Sequence, residues 1–306
     1  MLREYAVDPD AISNWHSFHY VVDSCGIDHG RLISEYPDHW AKLVYKAAKK
    51  AHNKPIQLKS IEDRLAKIKK KVTKRNSTFD SKSDWLSNAE LEDSKQPFAA
   101  ILSHHNPRSS GNVLIIDSLE DDTEKWKVDR QKSVERKAEA LASELDPIFR
   151  FGSEFIFVDP HFNPCEDRFA KPVVSFVNHI TRACQGVIRV EYHLIAAADM
   201  KAFEGNLNYY LVPELPYGFQ VKFVRWKDLP YSDKLSGGKR LHPRFVLSDN
   251  AGVLIEWGLD EGNEGDFADM LLLGTTLRDK HWKEYQRATS PFDFVDEIDI
   301  VGNKHY

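Results

Sequence analysis

Residues 242–249 read HPRFVLSD. An imidazole and a guanidinium stand two residues apart, and an aspartate follows five residues after the arginine. On a β-strand, side chains at i and i+2 share one face, so a strand here sets His242 and Arg244 side by side. Imidazole exchanges protons near neutral pH. Guanidinium keeps its charge, and its planar fork matches phosphate oxygens. The pair therefore suits a phosphate. It equally suits a structural role, with His242 hydrogen-bonded at a sheet edge and Arg244 paired to Asp249 or Asp260. Asp249 has the opposite strand parity to His242 unless the chain has already turned there. Just upstream, Gly237-Gly238-Lys239-Arg240 offers backbone donors and charge to an anion, or forms a loop turn.

Other residues could join such a site. Asp159-Pro160-His161 closes the apolar run EFIFVDP, at a strand end where α/β proteins usually bind ligands. Asp159 and His161 are thus candidate substrate contacts, or a helix-capping turn. His193, within EYHLI, reads as a core histidine. His104-His105 follows an apolar run with no third ligand at a readable spacing, so no metal is expected. Cys25-x3-His29 reads as packing, because Gly26 interrupts the helix. Residues 59–75, KSIEDRLAKIKKKVTKR, carry eight Lys or Arg against Glu62 and Asp63. The spacing of Ile61, Leu65, Ile68 and Val72 predicts one amphipathic helix, with Ser60 and Asp63 as a capping box. Its cations, among them Lys67, Lys70, Lys71 and Lys74, form either a solvated face or a surface for phosphates or an acidic partner.

The chain has 306 residues, 42% of them hydrophobic, enough for two domains with real cores. Its formal net charge is −5, so nucleic acid must be met by a local basic patch, not by a global field. Cys25, Cys165 and Cys184 are odd in number and widely spaced, which suggests neither a disulfide framework nor a zinc ribbon. No apolar run approaches a membrane span, so a cytoplasmic protein without transmembrane anchoring is expected. P-loop, dinucleotide-binding and nucleophile-elbow motifs are absent from the sequence, and no cofactor is expected.

The elements that must position these residues fall into three stretches. Residues 1–95 read as a mainly helical region: a helix capped by Asp8-Pro9, a second from about His29 to Pro37, a third from Asp38, then the basic helix. Residues 96–150 read as a strand pair, PFAAILSHH and NVLIID, followed by a helix from 131 to 150. Residues 151–306 alternate strands and helices: EFIFVDP, a helix over 167–183, VIRVEYHLI, a helical stretch near 199–212, then FQVKFVRW. RFVLSD and VLIEWG follow as an antiparallel hairpin. Continuous apolar strands between helices predict an α/β sheet covered on both faces.

His242-x-Arg244-x4-Asp249 resembles the HxKx4D signature of the phospholipase D superfamily, with arginine in place of lysine. HPRFVLSDNAGVLIEWGLDEG is more similar still to the phospholipase-D-like C-terminal domain of MIT-domain proteins, over about residues 150–295. The resemblance implies a mixed sheet flanked by helices. It implies His242 as nucleophile or acid, Arg244 gripping phosphate, and Asp249 supporting the site, with no metal. Only one motif copy is present, so a complete two-histidine site implies a homodimer. Gly258-Leu259-Asp260 replaces the superfamily's later Gly-Ser-x-Asn element. Three functions are consistent with this pattern. One is a phosphate- or nucleic-acid-binding module in a cytosolic assembly of the kind found in prokaryotic antiviral defence. Another is a homodimeric, metal-independent phosphodiesterase or nuclease. The third is a structural subunit docking a protein partner through residues 1–95.

Overall fold

A computed structural model describes residues 1–184, 186–227 and 241–305. The chain divides into two units, Met1–Arg130 and Gln131–Tyr306.

The first unit is built on five short strands: β1 (Arg3–Val7), β2 (Arg31–Ser34), β3 (Val72–Thr73), β4 (Ala100–Ser103) and β5 (Val113–Ile115). They lie in the order β3-β2-β1-β4-β5, and every neighbouring pair is parallel. Between them run α1 (Trp15–Asp23), α2 (Trp40–Lys50), α3 (Pro55–Ala66) and α4 (Trp85–Lys95). Tyr5, Val7, Ile33, Ala100 and Leu102 pack with Phe18 of α1, Trp40 and Val44 of α2 and Ile61 of α3. Ala6, Ile101 and Val113 pack with Leu86 and Ala89 of α4. Both faces are thus covered, as parallel sheets require.

Residues 1–95 hold more helix than strand, as expected, but the parallel sheet that these helices cover was not expected. The strands there have five, four and two residues, too few to show a period, and only tertiary pairing distinguishes them from helix ends. Residues 31–34, expected in a helix, are β2. Asp8-Pro9 is the loop after β1, where the Asp8 carboxylate accepts from the Asp10 backbone N–H at 3.0 Å. The helix near His19 is capped instead by Asn14, which accepts from Ser17. The strands at 100–103 and 113–115 pair in parallel within this first sheet, so residues 96–150 are not one lead-in to the core.

The basic stretch also differs. α3 ends at Ala66, residues 68–71 form a tight 3-10 turn, and β3 follows. The helix start is at Pro55, where Gln57 accepts from the Lys54 backbone N–H at 2.9 Å. Lys67, Lys70 and Lys74 are exposed, but not on one helix face. Lys71 donates to the Val22 carbonyl at 2.6 Å. Arg75 is not a surface charge: its side chain is buried between Glu4 and Glu92, each at 3.1 Å, with the guanidinium over the Phe98 ring at 3.9 Å.

The second unit carries an eight-stranded mixed sheet of β6 (Gln131–Glu135), β7 (Glu154–Val158), β8 (Arg189–Ile195), β9 (Gln220–Trp226), β10 (Arg244–Ser248), β11 (Gly252–Ile255), β12 (Phe267–Leu272) and β13 (Phe294–Val301). Their order is β13-β9-β8-β7-β10-β11-β12-β6. β7, β8 and β9 are mutually parallel neighbours, and the remaining pairs are antiparallel, including the expected β10–β11 hairpin. Helices α5 (Ala138–Phe151), α6 (Asp167–Ala183), α7 (Met200–Asn206) and α8 (Thr275–Glu284) complete the unit. The start of the expected 131–150 helix is strand β6, an edge strand held by β12.

One face of this sheet meets α5 and α6 through aromatic contacts. Phe149 of α5 lies 5.8 Å from Phe155, and Phe176 of α6 stacks on Phe157 at 5.2 Å. The other face gathers Ile156, Val158, Val224, Trp226, Phe245 and Leu247 with Tyr285 and Phe292. An α/β class for the chain is therefore observed. No helix among the described residues is long and apolar enough to cross a membrane.

His193 is a core residue, 1% exposed in the middle of β8. Its Nδ1 accepts from the Trp226 indole N–H at 2.9 Å, which leaves Nε2–H to donate to Glu191 at 3.0 Å. Burial holds its pKa below the usual histidine value. The folded unit keeps it neutral while the unfolded chain protonates near 6.5. Protons therefore favour the unfolded chain, and stability falls as pH drops below about 6.5. Thermal unfolding of the intact chain from pH 7.5 to 5.5 is expected to show this slope, and His193→Phe to flatten it.

Candidate functional site

β7 and β10 run antiparallel with Phe245 opposite Val158. One step outward, the same register sets Arg244 opposite Asp159. Both carry the parity of Phe155, Phe157 and Val246, so they belong to the face that packs on α5 and α6. Asp159 is 2% exposed. One carboxylate oxygen accepts from the His161 N–H and the other from the Leu259 N–H, each at 3.0 Å. Burial raises its pKa, and those two N–H donors and the Arg244 charge oppose the rise.

Leu259 belongs to the segment after β11, which also brings in Asp260, 4% exposed. Arg136 donates to one Asp260 oxygen at 2.7 Å and Arg168, at the start of α6, to the other at 3.0 Å. Gly258 makes this approach feasible. Its φ is +138°, and a Cβ there would lie 2.6 Å from an Asp260 oxygen and 3.4 Å from one of Asp159. Arg136 is fixed at its backbone, donating to the Asp266 carbonyl at 2.9 Å and accepting from Gly262 at 2.8 Å. Two guanidinium groups thus pair with Asp260 at one end of the sheet, and the charge of a third, Arg244, acts on Asp159. Arg168 is half-exposed and also pairs with exposed Glu166 at 2.8 Å. The Arg244 Nε–H is buried with no acceptor among the described residues.

The chemistry on offer here is guanidinium pairing with an oxyanion. The Asp260 carboxylate orients two guanidinium groups, and the half-exposed Arg168 can exchange Glu166 for a phosphate oxygen, since such exposed pairs contribute only about 0–1 kcal/mol. Replacing Glu166 by alanine is expected to tighten binding of inorganic phosphate or an oligonucleotide severalfold, read by titration.

The residues expected at this site are only partly brought together. Arg244 and Asp159 face each other. His242 is exposed and lies two residues before β10 begins. His161 is exposed, and its backbone N–H holds Asp159. Asp249 is placed elsewhere, at the opposite end of β10. There it accepts from the Ser153 N–H at 2.8 Å, the Ser153 hydroxyl at 3.1 Å and the Glu154 N–H at 3.3 Å, fixing the start of β7. The strand between Arg244 and Asp249 is extended, so six residues cannot close into one cluster. Lys239 and Arg240 lie outside the described residues. Lys67, Lys70, Lys71 and Lys74 belong to the first unit.

Arg136 and Arg168 were not legible as site residues, since each stands among many charged neighbours on a predicted helix. The glycine of Gly258-Leu259-Asp260 was the one signal that could have flagged the segment, because a close backbone approach demands it. In the first unit, His104 Nε2 lies 3.2 Å from the Asp10 carbonyl. Among the described residues no group of three or more His, Cys, Asp or Glu is arranged to hold a metal ion.

The fold and site define an α/β protein whose second unit gathers arginines at one end of a mixed sheet. No family model matches the chain, and no curated protein does. Among solved structures, the chain is similar to TrmBL2, described as an archaeal chromatin protein with a novel mode of DNA binding. The identity is 9% and the TM-score 0.31, over 55% of this chain and 55% of that chain. The match thus spans about half of each, and so slight a likeness assigns neither fold family nor role.

Proposed function

We propose that the second unit is a phospholipase D-like module that binds phosphate groups, with nucleic acid as its ligand, through Arg244, Arg168 and Arg136. The observation that carries this reading is the Arg244 Nε–H. It is a buried donor with no acceptor among the described residues, set opposite Asp159, on which its charge acts. A buried donor left unpaired costs about 1–3 kcal/mol, and a phosphate oxygen would remove that cost. Placement of Asp249 at the far end of β10 favours binding over hydrolysis, because the histidine has no carboxylate from its own motif beside it.

The test is a binding titration of the full chain in EDTA against a labelled oligonucleotide. Salt-dependent association is expected, with a slope that reports the phosphates neutralised. His242→Ala is expected to leave affinity nearly unchanged. No measurable association at low salt would refute the module. A catalytic second reading follows from the exposure of His242, which leaves it free to meet a second copy's histidine across a two-fold axis. It predicts strand cleavage in EDTA, abolished by His242→Ala.

A further inference from the structure

Trp257 and Phe267 bracket the segment that supplies Asp260, and both are exposed, at 61% and 55%. Trp257 immediately precedes Gly258, the residue whose missing Cβ lets the backbone lie against the carboxylates of Asp260 and Asp159. Adjacent Cα atoms are about 3.8 Å apart, so the indole is rooted one residue from the backbone that lies against the carboxylate held by Arg136 and Arg168. At the other end of the segment, Phe267 directly follows Asp266, whose carbonyl holds the Arg136 backbone N–H at 2.9 Å. Beside a phosphate grip, an exposed indole offers a flat surface to a nucleobase. Stacked bases on aromatic rings, with cations tracking the backbone, are how single strands are held without reading sequence. A duplex keeps its bases inside the stack and cannot use this surface.

We infer that the ligand of this site is single-stranded nucleic acid, with its phosphate on Arg244 and Arg168 and an adjacent base stacked on Trp257. The inference rests on the phosphate-binding reading and narrows it. An inositol phosphate, a free phosphate or a duplex would fill the arginine cluster and leave Trp257 idle.

The test compares, on the full chain in EDTA, a short oligothymidine, the same strand with abasic sugars throughout, and the corresponding duplex. The intact single strand is expected to bind roughly 10-fold more tightly than the abasic one, a ratio in the range of one stacked base. Trp257→Ala should abolish that preference and leave abasic binding unchanged, while Trp257→Phe keeps most of it. Arg244→Ala should weaken both strands equally. Equal affinity for intact and abasic strands, tighter binding of the duplex, or a preference that survives Trp257→Ala would overturn base stacking, while a loss on Arg244→Ala would leave the phosphate reading standing. If Arg244→Ala changes neither strand, both readings fail.

Discussion

Replacing Arg75 by alanine is expected to destabilise the first unit by about 3–5 kcal/mol, the range for removing one partner of a buried ion pair. Its guanidinium bridges Glu4 on β1 and Glu92 on α4, and it also donates to the Gln96 carbonyl. All three charged residues are under a tenth exposed. The variant removes the cation shared by two buried carboxylates, with Lys95 at 3.8 Å from Glu92 staying in place, so the desolvation cost of Glu4 and Glu92 is no longer offset by Arg75. Most single substitutions cost far less, so the effect is diagnostic. Denaturant unfolding of the full chain, followed at the transition of the first unit, checks it. Arg75→Met on its own should be nearly as damaging. The triple replacement of Arg75, Glu4 and Glu92 by apolar residues of similar volume should recover much of the loss, because the desolvation cost goes with the charges. A surface lysine such as Lys74, one residue away, should be replaceable within about 0.5 kcal/mol.

Arg244→Ala is expected to weaken oligonucleotide binding about 10- to 100-fold, as follows from the roughly 1.5–3 kcal/mol of a hydrogen bond to a charged group. The side chain begins on a rigid central strand flanked by β7 and β11, so its position depends little on the ligand. Arg244→Lys should recover only part of the affinity, since an ammonium keeps the charge but not the planar fork. Arg244→Ala should also lower the salt slope by about 1, the signature of one lost phosphate contact, whereas Arg244→Lys keeps the charge and should leave the slope nearly unchanged. Asp249→Ala should behave differently: binding nearly intact but stability reduced, because this carboxylate holds the Ser153 and Glu154 N–H groups at the far end of the sheet. Anisotropy titrations paired with thermal unfolding separate the two behaviours.

The second unit was far more legible in the sequence than the first. β7, β8, β9, β10 and α6 fall close to where apolar runs and helical spacing set them, because each is long enough to show its period. β12, α8 and β13 went unread. The exposed face of β12 carries Phe267 and Leu271, and α8 buries no residue completely, so both break the usual pattern of buried apolar positions. In the first unit, strands of two to five residues bury both faces and carry no alternation. Their identity as a parallel sheet comes from pairing between segments tens of residues apart.

Local sequence determined the strand that bears Arg244, the turn and hairpin after it, and the glycine before Leu259-Asp260, because these depend on side-chain parity and backbone freedom over a few residues. Tertiary structure alone decided which charges meet. It set Arg244 across from Asp159 and brought Arg136 and Arg168 from two separate elements onto Asp260. It also sent Asp249 to the other end of β10 and sank Arg75 between two carboxylates. Register across strands and the packing of helices on a sheet assign partners to charges, and neither is contained in the spacing of residues along one segment.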